Sequence, residues 1–433
     1  MEKINIFWFR RDLRLEDHQG LRAAMASGRK VLPIFIFDLS ILERLDDQYD
    51  RRVDYIYQAL QFIHAQLKMF HSGIRVYHSH PVDAFEQLTA EFSIHTVYCT
   101  NDYEPKALQR DSQIRQLLAA KQIGFVSVKD QVMFEQDEIM KPDGTPYTVF
   151  TPYATKWREK LSRTADYSKC PHAPAQNSWF TFQADDLISL HTLGFKKTDV
   201  QFSPPQLPIN FIQHYHQKHN FPALDSTTHL GIALRFGTIS IRECVQAALN
   251  RSDAWLNELI WREFFMQILY HFPHVVNHCF KPSYEVIAWR NDEKEFKAWC
   301  EGKTGYPLVD AGMHQLNETG FMHNRVRLVT ASFLCKHLLI DWRWGEAYFA
   351  ARLLDYELAS NNGNWQWAAG CGCDAAPYFR IFNPDLQQKK FDKNLEYVKR
   401  WNPDFQDVFN LPPIVDHVTA RKRALAVYSK ALR

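Results

Sequence analysis

The residues with the most chemical content lie between 253 and 367. Glu258, Trp261, Arg262 and Phe265 are spaced i, i+3, i+4 and i+7, so they project from one face of a helix. A carboxylate, an indole and a guanidinium on an otherwise apolar face are costly to bury unless something polar meets them. Taken alone, the set reads first as an intrahelical Glu258–Arg262 pair over a packing tryptophan. A second run, His323-Asn324-Arg325-Val326-Arg327-Leu328, puts Asn324, Arg327 and Leu328 on one face and turns Arg325 toward another. A third gathers Asp355, Tyr356, Glu357, Asn361, Trp365 and Trp367 around Gly363. Dense Asn and Gly read locally as a turn, yet carboxylates, amides and indoles together suit an aromatic, hydrogen-bonding heterocycle. Upstream, Asp225-Ser226-Thr227-Thr228-His229-Leu230-Gly231 offers hydroxyls and amides at a loop entering a helix, chemistry suited to a diphosphate. By itself such a cluster is ordinarily an N-cap. Neither a G-x-G-x-x-G fingerprint nor a Walker A loop occurs, so a nucleotide would not be held in the Rossmann manner.

The elements that must position these groups are helical. Apolar periodicity predicts helices over 240–250, 253–272, 292–301, 307–317, 323–337 and 344–358, and hence an all-α domain over 201–433. The first part of the chain reads differently. Residues 4–9 and 31–37 are short apolar runs of the kind buried parallel strands show, and 95–100 is a third. Between them Val53, Ile56, Leu60, Ile63, Leu67 and Phe70 keep a spacing of three and four, and a further helix is expected over 107–121. Strand alternating with helix indicates a doubly wound parallel-sheet α/β domain over 1–130. The proline-scattered stretch 131–200 is expected to be a long connector.

Composition narrows the class. A chain of 433 residues with 46% hydrophobic residues suits two domains better than one core. The net charge of +2 does not announce a polyanion partner, so a nucleic-acid surface would have to be a local patch. Eight cysteines without a C-x-x-C pair suit reduced packing thiols, and no metal set is expected. The first twenty residues are too charged for a signal peptide, and no apolar run reaches the ~20 residues that span a bilayer. A soluble, cytoplasmic monomer with no membrane association is expected. Twelve Trp, 18 Tyr and 31 Phe are compatible with a core rich in large rings.

Several motifs in order carry a resemblance. Phe9-Arg10-Arg11-Asp12-Leu13-Arg14 and Phe150-Thr151-Pro152-Tyr153 are similar to the opening turn and the linker of the photolyase and cryptochrome family. Glu258-Leu259-Ile260-Trp261-Arg262-Glu263-Phe264, Thr304-Gly305-Tyr306-Pro307, Met322-His323-Asn324-Arg325 and Asp374-Ala375-Ala376-Pro377-Tyr378-Phe379-Arg380 resemble the class I cyclobutane-dimer photolyases in particular. The resemblance implies flavin adenine dinucleotide in the helical domain. Tyr215, Thr227, Thr228, His229, Leu230, Gly231, Trp255 and Arg262 match its contacts, as do Arg327, Asp355, Tyr356, Glu357 and Asn361. Gly231 departs from a serine frequent in the family. Asn361, an amide that both donates and accepts, suits the isoalloxazine edge.

For the substrate, the resemblance implies that Glu258 and Asn324 hydrogen-bond a flipped pyrimidine dimer, that Trp261 and Trp367 sandwich it, and that Leu328 touches it where class I enzymes usually have methionine. The implied reaction is light-driven electron transfer from reduced flavin, with Glu258 donating a hydrogen bond to the dimer anion if protonated. Asn324-Arg325 stands where the (6-4) photolyases usually place paired histidines. Trp365, Trp342 and Trp289 match an electron-hopping chain. Damaged DNA is the implied partner, contacted by Glu258, Trp261, Arg262, Phe265, Asn324 and Arg325 and by basic residues His219, Lys389, Lys390, Lys399 and Arg400. The tail adds Arg421, Lys422, Arg423, Lys430 and Arg433. Asn101-Asp102-Tyr103-Glu104-Pro105 lies where the family contacts a second, antenna chromophore, with folate, deazaflavin, another flavin or none left open. The rival reading is a cryptochrome photoreceptor using the same flavin and tryptophans.

Overall fold

Ile4–Phe9 (β1) and Val31–Asp38 (β2) are buried at every position, which is why they carry no polar face in the sequence. In the computed structural model, which describes residues 2–164, 178–402 and 412–432, they form the centre of a five-stranded parallel sheet. Arg75–Ser79 (β3), Ile94–Thr100 (β4) and Gly124–Val128 (β5) complete it in the order β3-β2-β1-β4-β5. Phe9 stands opposite Phe35, and Phe7 opposite Tyr98. Successive side chains alternate between two cores: Phe7, Phe9, Phe35 and Phe37 enter one, Ile6, Trp8, Ile34 and Ile36 the other. A sheet covered on both faces in this order is doubly wound, as expected. The edge strands β3 and β5 lacked a clear sequence signal because each is five residues long and mostly half-exposed.

The chain separates into two compact units that interleave in sequence. One comprises Met1–Ile139, Trp157–Leu207 and His229–Asn250; the other comprises Met140–Lys156, Pro208–Thr228 and Arg251–Arg433. Within the first, the opening motif is structural. Arg10 donates to both oxygens of Asp111 at 2.5 and 2.7 Å and to the Thr100 carbonyl, while Arg14 meets Asp130 at 2.6 Å and the Gly237 carbonyl at 2.9 Å. Asn101 follows β4 beside β1, where the strand order reverses. Its amide donates to Glu135 at 2.8 Å, and Tyr103 donates to the same carboxylate at 3.0 Å.

The second unit is helical around one core that includes Trp299, Met313, Phe333, Trp342, Trp365 and Tyr428. Three expectations are corrected there. The helix expected over 344–358 is Trp342–Arg352 and stops before Leu353, whose extended backbone is followed by an irregular stretch to Glu357. The Asn- and Gly-rich run that reads locally as a turn is instead the helix Leu358–Ala369. Gly363 explains the difference: a Cβ there would lie 2.2 Å from the Phe265 ring, so the residue is small because the helix Asp253–His271 passes close by. The segment expected as one helix over 323–337 is α-helical over Asn324–Ser332 and π-helical over Phe333–Leu338. Among the described residues no helix is long and apolar enough to cross a membrane.

Candidate functional site

The helix Asp253–His271 starts at Ser252, whose hydroxyl accepts from the Trp255 N–H at 3.3 Å. Trp255 and Phe265 are buried, whereas Glu258, Trp261 and Arg262 are half-buried on the shared face. Arg262 pairs with Glu357 of the irregular stretch at 3.1 Å, so the intrahelical Glu258–Arg262 pair is replaced by a long-range one. Glu258 makes no hydrogen bond or ion pair with a described residue, and burial pushes its carboxyl up to about 7. Tyr215, buried and stacked on His219 with centroids 4.8 Å apart, has its phenol pushed up by burial and then by the negative charge of Glu258.

A cavity lies between the helices Asn324–Ser332, Trp342–Arg352 and Leu358–Ala369. Asn324, Arg327, Leu328, Asp355, Tyr356, Glu357, Asn361, Trp365 and Trp367, all singled out in the sequence, line it. Arg327 is clamped by Asp355 at 2.9 Å and by the Met322 carbonyl at 2.7 Å. The other Asp355 oxygen is buried with no hydrogen-bond partner, a costly arrangement unless a ligand group meets it.

Asn361 was expected to donate as well as accept. Its amide nitrogen is held by Glu346, donating to the backbone carbonyl at 3.1 Å and to Oε1 at 3.0 Å. A carbonyl can only accept, so the NH₂ must face Glu346, and the oxygen of Asn361 is the group left for the cavity. Glu346 had no sequence signal; its neutral form is favoured by burial, against which the Asn361 contact works. Ser360, also unremarked in the sequence, donates to Glu357 at 3.0 Å.

The predicted diphosphate loop is divided. Thr227 and Thr228, both half-buried, end a segment of the helical unit, whereas His229, Leu230 and Gly231 begin a segment of the other. His229 is exposed with φ 51°, Leu230 is buried, and Gly231 opens the short helix Gly231–Arg235.

Trp365 and Trp342 are buried in the helical core, and Trp289 packs against it half-exposed. Gly345 permits this: a Cβ there would lie 2.2 Å from the Trp365 ring. Around the rim, Arg325 lies over the Phe391 ring at 4.5 Å and donates to Asn220. Burial and the nearby Arg380 lower its pKa. Arg380 also lies over Trp367 at 6.0 Å; it stands at the end of the motif Asp374–Arg380, whose sequence gives no sign of that contact. Lys390 sits over Phe391, and Arg400 donates to the Ala223 carbonyl at 3.3 Å. In the tail, Arg421 and Lys422 are exposed on the helix His417–Ala431. Arg423 donates to the His337 carbonyl at 2.6 Å, and Arg433 lies outside the described residues.

Residues 255–412 match the FAD binding domain of DNA photolyase, and residues 5–175 match the DNA photolyase domain. The chain belongs to the DNA photolyase family. A deoxyribodipyrimidine photo-lyase of Synechococcus sp. is 36% identical over 98% of this chain and 96% of its own length. A class III photolyase of Agrobacterium tumefaciens is similar in structure, with TM-score 0.85 and 31% identity over 100% of this chain and 98% of that one. An archaeal photolyase of Sulfolobus tokodaii whose crystal structure holds two FAD molecules matches equally, with TM-score 0.85 and 31% identity over 98% of this chain and 99% of that one. As a photolyase-family protein the chain takes FAD as its cofactor. The unsatisfied Asp355 oxygen, the free Asn361 carbonyl and the cavity they share fit that group.

Proposed function

We propose that the protein is a deoxyribodipyrimidine photo-lyase that splits cyclobutane pyrimidine dimers in DNA under blue light. The observation that carries this reading is Glu258, a half-buried carboxyl with no partner among the described residues and with its pKa raised to about 7 by burial. A carboxyl kept largely neutral near pH 7 can donate a hydrogen bond to negative charge that develops on a neighbouring group. Nothing in holding a cofactor alone calls for such a group on the face shared by Trp261.

In this reading the bound, reduced FAD supplies an electron when it absorbs light. The protein's own residues do the rest. Asn361 offers its oxygen to the isoalloxazine edge, and Arg262 with Glu357 and Arg327 with Asp355 frame the cofactor. Glu258 and Asn324 hydrogen-bond the dimer between Trp261 and Trp367. Leu328 adds an apolar contact without the polarizability of a thioether. A dimer already disrupts stacking, so drawing it into a pocket is less costly than extruding normal bases. Arg325 and Arg380, together with Lys389, Lys390, Lys399 and Arg400, meet backbone phosphates. Trp365, Trp342 and Trp289 relay electrons inward to restore the reduced cofactor. A second chromophore would be contacted by the segment that follows β4. The reading takes the protein to act as a cytoplasmic monomer.

Repair distinguishes this reading from a cryptochrome photoreceptor, which would have no use for Glu258 or for the exposed Asn324. The test is repair of an oligonucleotide carrying one cyclobutane dimer, with chemically reduced protein, in light and in darkness. Loss of the dimer only in light is expected, and a (6-4) photoproduct should persist. Persistence of the cyclobutane dimer under both conditions overturns the proposal.

A further inference from the structure

Phe150 opens the helix Phe150–Arg163, and its ring lies flat on the Trp261 indole with centroids 3.7 Å apart and planes 4° from parallel. Among the described residues, the other rings against Trp261 belong to its own helix and meet it differently. Phe264 is edge-on at 5.6 Å, and Phe265 is tilted by 32° at 5.3 Å. Phe150 is itself fixed. Its backbone N–H, which a helix start leaves without an intrahelical acceptor, donates to the Asp374 carboxylate at 3.0 Å across 224 positions of sequence. Two segments far apart in the chain therefore converge on one half-buried indole.

We propose that Phe150 is a positioning residue for dimer recognition: its ring holds the Trp261 indole in the plane that receives the splayed pyrimidine pair. This rests on the photo-lyase reading above. An indole on a half-exposed helix face otherwise samples several rotamers and must be ordered on binding, which weakens association. A parallel partner supplied before binding removes that loss, because it orders the ring in the free protein. Asp374 acts one step further back by fixing Phe150.

The test compares dissociation constants of the flavin-loaded protein for matched oligonucleotides with and without a cyclobutane dimer, measured in darkness. Phe150→Ala should weaken dimer binding about three- to tenfold, the range that loss of one aromatic pair produces. Its flavin content, flavin absorption and affinity for undamaged DNA should equal the parent's. Phe150→Tyr, which keeps the ring, should restore discrimination, and Phe150→Leu, which keeps bulk without a plane, should not. At saturating dimer the repair yield of Phe150→Ala should stay near the parent's. Three results overturn the inference. Unchanged dimer affinity would make Phe150 a packing residue, and equal loss on both DNAs would make its effect a general one on the surface. Tighter dimer binding would mean that the ring occupies the dimer's own place. Failure of the photo-lyase reading is separate, since the parent would then not prefer dimer DNA at all.

Discussion

Glu258 gives the account its most exposed consequence, because its proposed role depends on a proton. Burial favours the uncharged carboxyl, so the pKa is raised, to about 7. The sign follows directly: the donor form is present below that value and is lost as pH rises through it. With a midpoint of about 7, the donor fraction falls from about 90% at pH 6 to about 10% at pH 8. Seating a dimer buries the group further and moves the midpoint up, not down. A hydrogen bond to a charged group contributes about 1.5–3 kcal/mol, a factor of about 10 to 150 in favour of the dimer anion over return of its electron. The repair yield of pre-reduced protein at saturating substrate should therefore hold up to about pH 7 and decline above it. Glu258→Gln, whose amide donates at every pH, should flatten the profile, and Glu258→Ala should be low throughout while retaining its flavin. The assay is single-turnover repair per absorbed photon, with flavin absorbance read at each pH. A flat profile in the parent, or a decline of the same midpoint in Glu258→Gln, would refute the reasoning.

Trp365→Phe keeps an aromatic filler in the core but removes an easily oxidised indole. Blue light with external reductant should then fail to reduce the flavin efficiently, while dithionite in darkness succeeds and repair by the pre-reduced protein stays near parent; photoreduction at parental rate would remove Trp365 from the relay. Gly345→Ala sets a Cβ within 2.5 Å of both Trp365 and Leu334. Overpacking of this kind destabilises by about 1–3 kcal/mol, to be read as a lower denaturation midpoint, and an unchanged midpoint would contradict the packing described. Arg325→Ala should flatten the dependence of log affinity on log salt by about 0.9, the slope of one neutralised phosphate, whereas an unchanged slope would place Arg325 away from the backbone.

Legibility in the sequence followed burial and spacing. β1 and β2 were readable because both their faces are buried, whereas β3 and β5 were too short and too exposed to stand out. The groups lining the cavity were readable because their types are unusual on apolar faces: Asn324, Arg327 and Leu328 project together as helical spacing requires. The helix Leu358–Ala369 was harder, since its Asn and Gly content favours a turn and only the close approach of Phe265 explains Gly363. Long-range partners had no sequence signal. Glu346 sits fifteen residues from the Asn361 amide it fixes, and Phe150 lies in a motif whose sequence says nothing of Trp261. The Arg262–Glu357 pair replaced a local alternative, Glu258–Arg262, that helical spacing made equally natural.

The central claim is that an electron passes from the flavin to a dimer held beside it, and the lifetime of the excited reduced flavin reports this directly. The lifetime of pre-reduced protein should shorten when an oligonucleotide carrying a cyclobutane dimer is added, and stay the same with its undamaged counterpart. Shortening by neither DNA, although the dimer-bearing one is bound, would contradict the account.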